Sequence, residues 1–270
     1  MKKEKSRKLD QFYTKPEIAM FCINKSFNII PCFYDSFIIE PSAWNGSFFN
    51  ILLNKSDNVL GLDIDPKIWN IIAMDYLNFD INKYQSQIQN KKIITIWNPP
   101  FWKNSSLALK FINKSAEYSD YICFILPKTF KKDSMVNKIN NNFHLLKEYE
   151  IPENSFIYNE TEYNVPCIFQ IWKKEDNKRS KIVKDIIHKD FLFVKKSENP
   201  DFAIRRVWVY AGKIFSDFEN YSSASHYYIK VKDINTFIKK YNKIKWTTIY
   251  NTAWNPSLSK SELIEEYSKY

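Results

Sequence analysis

Short apolar runs alternate with amphipathic stretches over residues 13–175. Apolar runs bounded by turn residues predict buried strands, and apolar positions that recur with the period of a helix predict helices. The predicted strand elements are 36–40, 58–64, 71–75, 92–97, 120–126, 143–149 and 167–173. The predicted helices are 16–28, with Thr14 as N-cap and Pro16 in its first turn, 47–53 and 107–117. Because strands alternate with helices, we predict an α/β fold with a doubly wound, mostly parallel sheet and a small C-terminal extension.

Changes in polarity set the predicted domain boundaries. Residues 1–12 form a basic leader, residues 13–175 form the α/β domain, and residues 176–270 form a basic C-terminal region. Apolar periodicity is weaker in this last region, with strand-like sequence at 203–210 and 227–231. We interpret it as a segment for substrate recognition.

Composition excludes several classes of protein. Of the 270 residues 44% are hydrophobic and 17% aromatic, which is enough for a core. No apolar run approaches the roughly 20 residues that span a bilayer, and no secretory signal follows the charged N-terminus, so we expect a cytoplasmic protein without membrane contact. The four cysteines are far apart and the three histidines lack ligand spacing, so we expect no disulfide framework and no metal. A phosphate-binding loop and a serine nucleophile elbow are also absent from the sequence.

The net charge of +10 favours a polyanionic partner. The alternative is codon bias, because lysine, which supplies most of the basic residues, has AU-rich codons. The candidates for contacts to phosphate groups are Arg205, Arg206, Lys213, Lys230, Lys232, Lys239 and Lys240. Each of them is also explained as plain solvated charge.

The segment Asn98-Pro99-Pro100-Phe101 follows a predicted strand. Its prolines fix the backbone and have no N–H to donate, so the loop is stiff and its carbonyl groups stay free. The side-chain oxygen of Asn98 and the carbonyl of Pro99 can then accept hydrogen bonds from one planar NH2 group. Phe101 can stack on the ring that carries this amine. The alternative is a strand-ending turn followed by a core phenylalanine.

Acidic residues end the neighbouring predicted strands. Glu40 opens a loop that leads into a helix, Asp63 ends the second strand, and Asp75 ends the third element. At the carboxyl ends of parallel strands such acids can accept hydrogen bonds from ribose hydroxyls or from an adenine amine. Each acid alone is explained as well by a cap or a turn, but their order together points to a nucleotide-containing ligand.

This order of motifs resembles the class I S-adenosylmethionine-dependent amino-methyltransferases, in particular the adenine-N6 group with an extra N-terminal motif. The resemblance covers roughly residues 10–172. It implies cofactor binding by Tyr13, Thr14, Pro16, Glu40, Ser42, Gly46, Asp63, Ile64 and Asp75. It implies a catalytic loop formed by Asn98, Pro99, Pro100 and Phe101. A later motif of the family places an aromatic ring against the target base; Phe156 is the candidate, and the alternative is a core position.

The resemblance implies a site-specific, adenine-specific DNA methyltransferase that uses S-adenosylmethionine and belongs to a restriction-modification system or a phage. DNA is the expected partner, and we expect a monomer. Methylation of RNA adenine or of a protein glutamine amide stays open, because both substrates present a planar NH2 group.

Glycine and tryptophan depart from usual composition, with only 3 Gly and 8 Trp. The family has glycine where this chain has Trp44, and glycine or small residues at positions like Trp97, Trp102 and Trp254. In one interpretation the cofactor pocket is partly blocked and the chain is a non-catalytic homologue that binds nucleic acid. In the other, which we favour, the gene comes from a lineage that reads UGA as glycine. Trp172, within a predicted strand, is interpreted as a true tryptophan.

Overall fold

A seven-stranded sheet lies at the centre of the first part of the chain in the computed structural model, which describes residues 12–99, 105–158 and 160–270. Its strands are β2 (Phe37–Glu40), β3 (Val59–Asp63), β4 (Ile72–Ala73), β5 (Ile93–Trp97), β6 (Tyr121–Pro127), β7 (Phe143–Glu150) and β10 (Cys167–Lys174). Their spatial order is β4-β3-β2-β5-β6-β10-β7. The first five strands are parallel, in the order of doubly wound sheets, and β10 is antiparallel to both neighbours. The predicted α/β fold with a mostly parallel sheet is therefore confirmed.

Helices connect and cover these strands. They are α1 (Pro16–Phe27), α2 (Phe49–Leu53), α3 (Gln85–Ile88), α4 (Ser106–Ser115) and α5 (Asp133–Val136). Every residue of β6 is buried, as expected for a strand in the middle of a sheet that is covered on both faces. Trp172 in β10 is 1% exposed and donates its indole N–H to Gln170 over 3.1 Å, in keeping with a true tryptophan.

A second, three-stranded sheet corrects two predictions. It consists of β1 (Tyr13–Thr14), β8 (Phe156–Tyr158) and β9 (Thr161–Tyr163). Thr14 pairs with Phe156 in this sheet, and Lys15 holds the N-cap position of α1 without a side-chain hydrogen bond, so the prediction of Thr14 as N-cap is wrong. Phe156 is fully buried, so its ring is part of the core and the base-contacting role is wrong.

Residues 182–270 form a separate unit from residues 1–181. Its antiparallel sheet has the order β11-β14-β12-β13, from β11 (Phe191–Val194), β12 (Phe202–Arg205), β13 (Ile214–Phe215) and β14 (His226–Val231). Helices α6 (Ile234–Tyr241) and α7 (Lys260–Tyr267) pack on it. Their buried Phe237 and Tyr267 contact Phe191 of the sheet, which gives this unit its own apolar core.

Among the described helices none has the length and the apolar character needed to cross a bilayer. The described residues also bring together no group of three or more His, Cys, Asp and Glu side chains suited to a metal ion.

Candidate functional site

The carboxyl ends of β2 and β5 border a small cavity of about 40 Å³. Five of the predicted site residues line it: Tyr13, Thr14, Glu40, Ser42 and Asn98. The remaining lining residues are Phe12, Ala43, Trp44, Asn45, Ser47, Phe48 and Trp97. The end of the parallel strands is where ligands bind in doubly wound sheets. The structure thus brings together the N-terminal motif, the loop after Glu40 and the start of the Asn-Pro-Pro-Phe segment.

Asp63 fixes the loop that follows β2. One carboxylate oxygen accepts hydrogen bonds from Ser42 Oγ at 2.7 Å and from the Trp44 backbone N–H at 3.0 Å. The other accepts from the Asp65 backbone N–H at 2.7 Å. The side chain is 4% exposed, so these bonds are shielded from solvent and hold the loop against β3.

Two residues of this loop have a left-handed backbone. Gly46 has φ +81°, and a Cβ there would lie 2.6 Å from the Ile68 side chain, so only glycine fits. Trp44 has φ 35°, a conformation that is unfavourable for residues with a Cβ. The loop therefore requires glycine at Gly46 and favours it at Trp44.

The indole of Trp44 forms part of the cavity lining. It stacks on the Tyr13 ring with 3.7 Å between ring centroids and 13° between the planes. Its buried N–H has no hydrogen-bond partner among the described residues. Trp97 also lines the cavity, but its backbone is that of a regular strand, and its N–H donates to the Ser42 carbonyl at 3.0 Å. Trp97 is thus accommodated by its surroundings, whereas Trp44 is not.

Asn98 presents a free acceptor to the cavity. Its side-chain N–H donates to the Phe12 carbonyl at 3.1 Å, which fixes the orientation of the amide. The Oδ1 atom is buried and has no partner among the described residues. A buried acceptor without a partner costs about 1–3 kcal/mol, which a ligand N–H would recover. Pro99 is buried; Pro100, Phe101 and Trp102 lie outside the described residues.

Glu40 places a second unpartnered oxygen in the same cavity. The side chain is 2% exposed, and its Oε2 atom has no partner in the part of the chain that the structure describes. Burial raises the pKa of this carboxyl from 4.5 to about 8, although the backbone N–H groups of Phe48 and Phe49 donate to it and oppose the shift. Glu40 is consequently protonated at neutral pH unless a cation enters the cavity.

The remaining predicted cofactor residues lie outside the cavity lining. Ile64 is 64% exposed directly after β3. Asp75 caps a short 3₁₀ helix and accepts hydrogen bonds from Leu77 N at 3.0 Å and Asn78 Nδ2 at 3.2 Å. It is close to Asp63 along the sheet edge, because Asp63 pairs with Ala73. Pro16 begins α1.

A cofactor with a nucleoside does not fit this cavity as long as Trp44 is present. Pockets for such ligands have volumes of about 300–1,000 Å³, far above the 40 Å³ found here. The chemistry of the other lining residues does fit a polar ligand, since Glu40 and Asn98 both keep buried unpartnered oxygens. Trp44, whose ring stacks on Tyr13 in the lining, is one of the residues that limit the volume of the cavity.

Comparison with known proteins adds a likeness of fold. No protein-family model matches the chain, and no curated protein matches it. Among solved structures, a SAM-dependent methyltransferase from Anabaena variabilis has 14% identity over 64% of this chain and 91% of its own, with a TM-score of 0.43.

Two further structures have similar values. A Pyrococcus horikoshii protein, provisionally described as an RNA methyltransferase, has 15% identity over 62% of this chain and 88% of its own, with a TM-score of 0.41. A Lactococcus lactis protein, provisionally described as a hemolysin, has 9% identity over 61% and 89%, with a TM-score of 0.44. At such identities the likeness concerns the fold alone, and at such TM-scores no functional argument rests on it.

Proposed function

We propose that this protein transfers a methyl group from S-adenosylmethionine to the exocyclic N6 amine of adenine in DNA. The observation that carries the proposal is the buried, unpartnered Oδ1 of Asn98 at the end of β5. Its amide is already oriented by the Phe12 carbonyl, so the acceptor is held ready for an N–H donor. An acceptor fixed in advance stabilises positive charge that develops on an amine nitrogen.

In this proposal, different residues of the chain bind the target amine and the cofactor. Asn98, with the Pro99 carbonyl, accepts the hydrogen bonds of the target amine, and Pro100 and Phe101 complete the loop. Tyr13, Thr14, Pro16, Glu40, Ser42 and Gly46 are proposed to hold the methionine part of the cofactor, and Asp63, Ile64 and Asp75 the adenosine part. Glu40 suits a cationic group, because a nearby positive charge lowers the pKa of its buried carboxyl and ionises it.

Because Trp44 conflicts with cofactor binding, the second part of the proposal is that the catalytically active protein has glycine at position 44. Trp44 has a left-handed backbone, and so does Trp208, with φ 73°. The chain has 3 Gly and 8 Trp, so tryptophan stands where glycine is expected in both composition and conformation. A gene whose UGA codons are read as glycine explains both facts. UGG codons at 44 and 208, the two tryptophan positions with this backbone, would contradict it.

The cavity volume favours one other candidate function. If Trp44 is genuine, 40 Å³ leaves no room for the cofactor, and the protein is a nucleic-acid-binding homologue without catalysis. This candidate predicts UGG at codon 44 and, for the protein with Trp44, DNA binding without cofactor binding.

Methyl transfer from labelled S-adenosylmethionine tests the proposal. The Trp44→Gly protein is incubated with duplex DNA, with RNA, and with a glutamine-containing peptide. We expect label on DNA adenine and its loss in Trp44→Gly/Asn98→Ala. Label on RNA or peptide alone would refute the DNA assignment, and label on DNA from both proteins would remove Asn98 from its role.

A further inference from the structure

An open groove of about 530 Å³ lies at one end of the sheet in residues 182–270. At this end β11 and β12 finish and β14 begins, because these strands are antiparallel neighbours. Basic and aromatic side chains line it, including Phe193, Lys195, Arg206, Tyr227 and Lys260. The size is that of a ligand site, and the chemistry is that of a surface for polyanions.

Two cationic side chains lie close to aromatic rings that line this groove. The guanidinium carbon of Arg206 lies 5.2 Å from the Tyr227 ring centroid. The Nζ atom of Lys260 lies 4.6 Å from the Phe193 centroid and 5.9 Å from that of Tyr227. The Nε atom of Arg206 is buried and has no hydrogen-bond partner among the described residues. Two like charges beside one ring repel each other, and a bound anion that attracts both would offset this repulsion.

The ion pairs described for residues 182–270 involve other lysines, namely Lys184, Lys196, Lys240 and Lys269. Nearby carboxylates are already engaged within the protein. Glu219 pairs with Lys196 at 3.9 Å, and Glu262 accepts from the Ser259 backbone N–H at 2.7 Å. None of these described ion pairs involves Arg206 or Lys260, although the Glu262 carboxylate keeps its negative charge and acts on Tyr227.

His226 adds a hydrogen-bonding group to the groove lining. The residue is 2% exposed and its ring stacks on Tyr221 with 4.4 Å between centroids. Its Nδ1 atom lies 3.0 Å from Ser225 Oγ and 3.4 Å from the Ser222 carbonyl, whereas Nε2 is buried without a partner among the described residues. Burial lowers the pKa of His226, which favours the neutral ring. With the proton on Nδ1, Nε2 is an acceptor and suits a hydroxyl or amine donor of a ligand, not a phosphate oxygen.

We propose that this groove binds the phosphate groups of a nucleic-acid strand, with Arg206 and Lys260 as the anion contacts and His226 as a hydrogen-bonding partner. The choice of nucleic acid over other phosphate ligands rests on the proposed function. The proposal assigns the contacts to phosphate to one surface of the basic C-terminal region. Of the seven basic residues predicted to contact phosphate, only Arg206 lines the groove.

Two of the other candidates are engaged elsewhere in the unit. Lys230 Nζ donates to the Asn199 carbonyl at 2.7 Å, and Lys240 pairs with Asp190 at 2.9 Å. Sequence could not separate these lysines from Lys260, which lies in the groove only because α7 begins there.

Fluorescence anisotropy with a labelled DNA duplex tests the groove. Lys260→Glu and Arg206→Gln are compared with Lys243→Glu, which alters charge at an exposed lysine of the same unit. We expect Lys260→Glu to raise Kd about tenfold over Lys243→Glu, and each neutralised cation to reduce the slope of log Kd against log salt by about 1. Unchanged thermal midpoints show that the variants are folded. Equal Kd values for Lys260→Glu and Lys243→Glu would overturn the proposal.

Inorganic phosphate and AMP serve as competitors in the same assay. We expect competition only at concentrations far above the Kd of the duplex, because a strand presents many phosphate groups at once. Competition by AMP at the duplex Kd would overturn the strand assignment. The assay contains no S-adenosylmethionine, so loss of methyl transfer with intact Lys260-dependent binding would refute the proposed function alone.

Discussion

Two tryptophans, one in each unit, adopt the same rare backbone conformation in opposite surroundings. Trp44 has φ 35° and its indole is stacked on Tyr13 inside a cavity. Trp208 has φ 73° and is 58% exposed. They are two of the eight described non-glycine residues with positive φ. The common factor is the backbone, which at both positions has the geometry that glycine adopts at no steric cost.

The two positions differ in what the indole side chain does there. At Trp44 the indole decides whether a ligand can enter beside Glu40 and Asn98, whereas at Trp208 it projects largely into solvent. Replacement by glycine should therefore alter binding at the first position and only stability at the second.

The largest effect is expected at Asn98, which lines the same cavity as Trp44. In the Trp44→Gly protein, Asn98→Ala should lower the rate of methyl transfer about 10²–10³-fold, because it removes an oriented acceptor from the reacting amine. Asn45→Ala is the matched control, since Asn45 also lines the cavity but its Oδ1 already accepts from Ser47 Oγ at 3.2 Å. Equal losses in the two variants, measured as kcat with cofactor saturating, would contradict the role of Asn98.

A smaller effect is expected at Trp208. Trp208→Gly should raise the free energy of unfolding by about 1–2 kcal/mol, because it relieves a left-handed backbone and gives up little buried surface. Trp69→Gly is the control: Trp69 is 94% exposed and its φ is not positive, so glycine there should lower stability by up to about 1 kcal/mol. Urea unfolding measures both. A lower free energy of unfolding for Trp208→Gly would contradict the claim that glycine relieves an unfavourable backbone at this position.

A third effect, comparable within one pH unit to that at Trp208, is a dependence of stability on pH. The pKa of Glu40 is about 8 in the folded chain and 4.5 ordinarily. Between these values the folded carboxyl keeps its proton while the unfolded one has lost it, so the free energy of unfolding falls as pH rises, by at most about 1.4 kcal/mol per pH unit. Glu40→Gln should flatten this part of the curve. An identical curve for the variant would show that Glu40 is not buried in its protonated form.

Much of the fold could be predicted because apolar runs report burial directly. The main strands of the large sheet fall within one or two residues of their predicted bounds, and the motif residues converge because parallel strands end at one edge. The element at 71–75 shrinks to Ile72–Ala73, since its later residues turn into a 3₁₀ helix capped by Asp75.

The details of the site depend on contacts that leave no trace in a local pattern. The Phe12 carbonyl orients Asn98 from 86 positions away, through a main-chain atom that any residue would supply. The pairing of Thr14 with Phe156 is also a long-range contact, and it accompanies the loss of the N-cap role of Thr14 and of the base-contacting role of Phe156. Residues 182–270 were harder to predict because aromatic and lysine residues are spread through short strands without a clear period.

Calorimetric titration of S-adenosylmethionine tests the central claim most directly. The chain as printed, with Trp44, should show no measurable heat of binding. Trp44→Gly should bind with micromolar Kd, an affinity gain of more than about 100-fold, and should release protons as Glu40 ionises beside the cationic ligand. No binding by Trp44→Gly, with the variant folded, would contradict the account.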